Sequence, residues 1–209
     1  MQDFKGTVPL RAQLPRDAKK QWTQVKDFIE KTIDGKYLEE PVGLVRLRET
    51  GARVRSRYNP ELKSIKVADN CDVVSFVHEL GHHLETTNPH FHERCLEFLR
   101  HRAEASAGTA VRVQRLSELA PNSNYGENEY AVASGFDNPY CGKIYLRQFG
   151  QLLPKMERKT EHGTIKTYDM PSTEVLSMGL QFLHDDPLTF VLGDPEYYQF
   201  VMNLLRGVI

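Results

Sequence analysis

The chain has 209 residues, enough for one sizeable hydrophobic core, and its 40% apolar and 26% charged residues are globular usage rather than that of a disordered or fibrous protein. A formal net charge of −1 gives no global attraction to nucleic acid or to an anionic membrane, so neither is expected as a partner. No apolar run approaches the roughly 20 residues that span a bilayer. The N-terminal MQDFKGTVPL lacks the apolar centre of a signal peptide, and Cys71, Cys95 and Cys141 form no CxxC pair. Together these predict a single domain, residues 1–209, in the reducing cytoplasm.

Residues 16–34 place Trp22, Val25, Phe28, Ile29 and Ile33 at helical spacing, with Gly35 as a stop, which predicts an amphipathic first helix. VGLVRLR, ARVRSRY and LKSIKVA follow, separated by turn signals at Thr50-Gly51 and Asn59-Pro60, and predict a small, mostly antiparallel sheet. The locally basic stretch Arg46–Arg57 reads as a solvated strand face. Asn70 or Asp72 then caps a helix that Asn88-Pro89 ends, and a second helix fits 90–105. Residues 120–171, rich in Asn, Gly, Pro and Tyr, predict loops and hairpins with strand candidates YAVASGF and GKIYLR. Helical spacing returns in STEVLSMGLQFLHDD and DPEYYQFVMNLLRG, so the chain is expected to close with two helices. The fold class expected is α+β.

The capped helix carries FVHELGHHLE, with three of the chain's eight histidines. At about 100° per residue Val73, Val77, Leu80 and Leu84 share one stripe, while His78 and His82 stand about one turn apart on the opposite side. Two imidazoles so placed can converge on one ion. Zinc suits them, because it accepts neutral imidazole nitrogen, and a catalytic site uses three protein ligands and keeps one position for water. Glu79, adjacent to His78 but turned by about 100°, can act as a general base on water activated by the ion instead of ligating it. Gly81 keeps the wall between the two histidines clear. The competing reading makes His78 and His82 ordinary surface or core histidines and Glu79 an exposed helix acid.

The third ligand is open on the residues alone. Glu85 stands where the extended pattern HExxHxxGxxH has glycine and Asn88 where it has histidine, so that pattern is excluded. Glu85 lies on the histidine side by phase, a turn too far along, where contact with a ligand or with solvent is more natural than ligation. His83 points away as a wall or surface residue, and His90 and His92 lie beyond the helix-ending Asn-Pro. Glu174 shares a face with Ser177 and Gln181, away from the apolar rows Leu176/Leu180/Leu183 and Val175/Gly179/Phe182. It reads equally as a ligand or as an ordinary first-turn acid. Asp169 is a further fallback.

His78-Glu79-Leu80-Gly81-His82, with a later helix bearing Glu174, resembles the zincin metallopeptidases, in particular the gluzincins. The segments GFDNPYCGKIY and TEVLSMGLQFLHDDPLTFVLGDPEYYQFVMNLLRG also look like parts of metallopeptidase-like domains associated with phage minor head proteins and mobile elements. These likenesses cover roughly residues 70–86 and 130–207. They imply a zincin-like fold, Zn2+ held by His78, His82 and Glu174, and Glu79 as base. They also imply an edge strand, LKSIKVA, able to pair with an extended peptide. The function expected is a zinc-dependent endopeptidase acting on a protein or peptide, with Tyr140 of the NPYCGK loop either stabilising the oxyanion or merely packing the loop. Two alternatives stand beside it: an idle zincin-fold assembly module and a zinc hydrolase of a non-peptide bond.

Overall fold

The computed structural model describes residues 6–7, 16–46, 55–68, 71–107, 111–145, 159–160, 163–164 and 170–209. It is α+β, and the chain divides into two compact units, residues 1–91 with 176–209, and residues 92–175.

In the first unit, helix α1 (Arg16–Thr32) turns Val25 and Ile29 fully inward, with Ile33 just past its end, as the spacing predicts. Strands β1 (Gly6–Thr7), β2 (Val42–Arg46), β3 (Arg57–Asn59) and β4 (Ser64–Val67) form one sheet in the order β1-β2-β4-β3. The sheet is mixed, not mostly antiparallel: β1 and β4 both run parallel to β2, and only β3 pairs antiparallel, with β4. Consecutive strands β2, β3 and β4 do alternate in direction, as successive hairpins would. However, β4, with Ile65 and Val67 both fully buried, inserts between β2 and β3. LKSIKVA is therefore an interior strand, and the edge beside it is Arg57–Asn59. The expected Thr50-Gly51 turn, most of the basic stretch and Asn70 lie outside the described residues.

Helix α2 (Val73–Thr87) starts on Asp72, whose carboxylate accepts from Ser75 N at 2.7 Å, and stops at Asn88 before Pro89. Phe76, Val77, Leu80 and Leu84 are in the core, yet His82, His83 and Glu85 are buried too, so α2 is enclosed over most of its circumference. Helices α5 (Val175–Asp185), α6 (Pro187–Gly193) and α7 (Pro195–Leu205) end the chain. Three helices thus stand where two are expected. Asp186 caps α6 through Thr189 N and Asp194 caps α7 through Tyr197 N, each followed by a proline at the first helical position.

Helix α3 (Pro89–Ala107) enters the second unit at His92, where Cys95, Leu99 and Ala103 line its buried face. A hairpin follows, β5 (Val113–Arg115) with β6 (Tyr130–Val132), spanning the short helix α4 (Leu116–Leu119). The 3-10 turn Pro139–Gly142 comes next, and Lys143 bridges to Ala131. Of the GKIYLR strand candidate only that bridge is present; Leu146 and Arg147 lie outside the described residues. Short strands β7 (Lys159–Thr160) and β8 (Gly163–Thr164) pair antiparallel. All three cysteines are free and buried, and no helix among the described residues is long and apolar enough to cross a membrane.

Candidate metal centre

His78 and His82 come from successive turns of α2, and their rings meet edge to face at 5.0 Å between centroids. His78 Nδ1 lies 3.1 Å from the amide oxygen of Gln181 on α5. With Nδ1 donating to that oxygen, the lone pair of the imidazole resides on Nε2, the tautomer that can ligate a metal through Nε2.

The approach of α5 to α2 depends on Gly81. A Cβ there would lie 2.8 Å from the backbone nitrogen of Ser177 and closer still to its Cα, so only a residue without a side chain lets the two backbones come so near. Gly81 is thus a helix-packing contact, where the sequence suggests only clearance between the histidines. Just before α5, Ser172, Thr173 and Glu174 are fully buried, and the Thr173 hydroxyl accepts from Val175 N at 3.1 Å. The carboxylate of Glu174 accepts a hydrogen bond from the hydroxyl of Tyr145.

His78, His82 and Glu174 each offer one ligand atom, and these atoms all lie within 4.8 Å of one another. Tetrahedral ligands about 2.1 Å from a zinc ion stand about 3.4 Å apart, so closure on an ion requires side-chain adjustment rather than rearrangement of the backbone. Two imidazoles and a carboxylate form a nitrogen/oxygen donor set that zinc and other first-row divalent ions accept. The donor chemistry fits a metal ion.

Glu79 is tied to the sheet rim: its Oε2 accepts from the backbone N–H of Tyr58 on β3 at 2.6 Å. That bond fixes the carboxylate's rotamer one residue from His78. Because Tyr58 is on the outermost strand, the bond also occupies an edge N–H that would otherwise be unpaired in the sheet.

The other candidates stand apart from the three-residue group. Glu85 is fully buried, neither solvent-exposed nor a member of the group. His83 is in the core rather than on a wall or at the surface. Its Nε2 is 3.2 Å from the carbonyl of Glu40, its ring meets Tyr58 edge-on at 5.7 Å, and burial pushes its pKa down to about 4. His90 pairs through Nε2 with the carbonyl of Ile209 at 2.9 Å, and His92 is an early residue of α3. Asp169 lies outside the described residues.

Within the second unit, Tyr140 stacks on Tyr125 at 5.7 Å, and its hydroxyl oxygen lies 3.3 Å from the ammonium of Lys143. That ammonium also pairs with Glu129 at 2.8 Å and stands 5.2 Å from the ring centre of Tyr145. Burial acts to raise the Glu129 pKa, but hydrogen bonds from Lys143 and Gly126 N outweigh it and hold the carboxyl below its ordinary value. Sequence reasoning did not single out Tyr145, whose bond to Glu174 spans 29 residues. It did place Gln181 on the Glu174 face, without indicating that Gln181 would meet His78.

Comparisons of the chain with models of protein families, with curated sequences and with solved structures return no match. The functional reading rests on the residues themselves.

Proposed function

We propose that the chain is a zinc-dependent peptidase of zincin type, with His78, His82 and Glu174 as ligands and Glu79 as general base. The observation that carries this reading is the convergence of three ligand atoms from α2 and the residue before α5 to within 4.8 Å, with Glu79, next to His78 in the chain, outside the group. Zinc held there supplies Lewis acidity, which polarises a carbonyl and brings the pKa of water toward about 7. Glu79 takes the proton of the attacking water on its carboxylate and passes it to the leaving amine nitrogen. Tyr58 N–H holds that carboxylate in one orientation, and Gln181 keeps the His78 proton on Nδ1. Tyr140 is the candidate for stabilising the oxyanion: a phenol that accepts from an ammonium becomes a stronger donor in turn.

The test is metal analysis together with hydrolysis of a quenched fluorescent peptide library by the parent and by Glu79→Gln. One zinc per chain is expected in both proteins, with turnover in the variant lower by about 10²–10⁴-fold. Undiminished turnover would sink the mechanism, and loss of zinc would move Glu79 among the ligands.

A further inference from the structure

We infer that Tyr145 is a positioning residue for the metal centre: its hydroxyl fixes the rotation of the Glu174 carboxylate, and with it which oxygen is offered beside His78 and His82. This rests on the ligand role proposed for Glu174. A carboxylate on a freely turning side chain presents either oxygen over a wide arc, and a ligand must be held close to one orientation to bind tightly. Here the hydroxyl donates to Oε1 of a wholly buried Glu174, and Tyr145 itself is only 5% exposed, so bulk water does not compete for the bond.

The phenol is held in turn. Lys143, 9% exposed, places its ammonium 5.2 Å from the centre of the Tyr145 ring and 4.7 Å from that of Tyr140, within the range of a cation–π contact. Glu129 anchors the ammonium at 2.8 Å, and the backbone N–H of Gly126 anchors Glu129 at 2.7 Å. A chain of contacts thus runs from the β5–β6 connection to the candidate ligand, and Tyr145 is the link that touches it.

The experiment is zinc affinity measured by chelator competition on metal-free protein, for Tyr145→Phe in the parent and in a Glu174→Ala background. In the parent, removal of the hydroxyl is expected to weaken zinc binding about 10–100-fold, the range typical of losing a partner that orients a ligand. In the Glu174→Ala background the same change is expected to have no further effect, because the group it positions is gone. Unchanged affinity in the parent, or an equal loss in both backgrounds, overturns the inference. A second measurement needs no variant: the Tyr145 hydroxyl proton, shielded and bonded to a carboxylate, is expected as a slowly exchanging proton resonance that moves when one equivalent of zinc is added. Zinc uptake without movement of that resonance overturns the inference as well. If Glu174→Ala itself binds zinc like the parent, the ligand assignment has failed, whereas a weakened Glu174→Ala beside an unaffected Tyr145→Phe sinks the positioning role alone.

Discussion

The close approach of α2 and α5 makes Gly81→Ala a sensitive probe of the site. The added Cβ would meet backbone atoms of Ser177, the nitrogen at 2.8 Å and the Cα nearer still, together with the Ser177 Cβ at 3.1 Å. A contact of that kind with backbone cannot be relieved by rotating a side chain, so α5 has to move away. Overpacking of this sort costs about 1–3 kcal/mol, and the better helix propensity of alanine returns about 1 kcal/mol. The net expectation is a loss of up to about 2 kcal/mol, or a fall in melting temperature of up to about 8 °C at about 2–4 °C per kcal/mol for a chain this size. Because Glu174 lies three residues before Ser177, the same displacement carries it away from His78 and His82. Zinc affinity should therefore fall together with stability. The assays are differential scanning calorimetry of the metal-free protein and zinc titration. A variant at least as stable as the parent, with unchanged zinc affinity, would refute the reasoning.

Two other expectations concern the ligand assignment and the cysteines. Glu174→Ala should weaken zinc binding by at least about 10–100-fold while Glu85→Ala leaves the titration unchanged, and the reverse ranking would transfer the ligand role to Glu85. The three buried cysteines should resist alkylation at pH 8 in the native protein and react in full once it is unfolded, as counted by mass spectrometry. Burial raises the Cys71 thiol from 9.0 to about 11, so its contribution to stability is complete below pH 9 and is lost as pH rises from 9 to 11. Native-state labelling of Cys71 at pH 8 would contradict its burial.

What the sequence made legible follows the range of the physics involved. Helix α2 could be read closely, because its cap, narrowed to Asn70 or Asp72, its stop at Asn88-Pro89 and its stripe of Val73, Val77, Leu80 and Leu84 are all local, although Val73 is only half-buried. That β2, β3 and β4 are strands was legible for the same reason. Their neighbour order was not, since apolar alternation says which face of a strand is buried and nothing about which strand is central. Helix α6 was overlooked although Asp186-Pro187 repeats the signal of Asp194-Pro195, because seven residues hold too few turns for a periodicity to emerge. Glu174 could be narrowed to a face shared with Ser177 and Gln181, but its bond to Tyr145 belongs to no local pattern. Glu85 and His83 show the opposite limit: the sequence offers contact with a ligand or with solvent for Glu85 and a wall or surface place for His83, and long-range packing buries both.

The arrangement of α5 explains why chemically silent residues control a centre built from histidines and a carboxylate. On one side its backbone at Ser177 touches Gly81 of α2. At Gly179, two residues on, a Cβ would come within 2.6 Å of the Val201 side chain of α7 and 3.4 Å from the Tyr197 hydroxyl. The helix is thus wedged between two neighbours at positions where a single methyl group would not fit, and packed interiors transmit such displacements instead of absorbing them. Gln181 reaches His78 from this wedged segment, and Glu174 immediately precedes it. Two sequence-distant glycines therefore set the distance between the pair of imidazoles and the residue proposed to complete their coordination. The HELGH pattern supplies two candidate donors, and the glycine contacts bear on how near the Glu174 carboxylate stands to them.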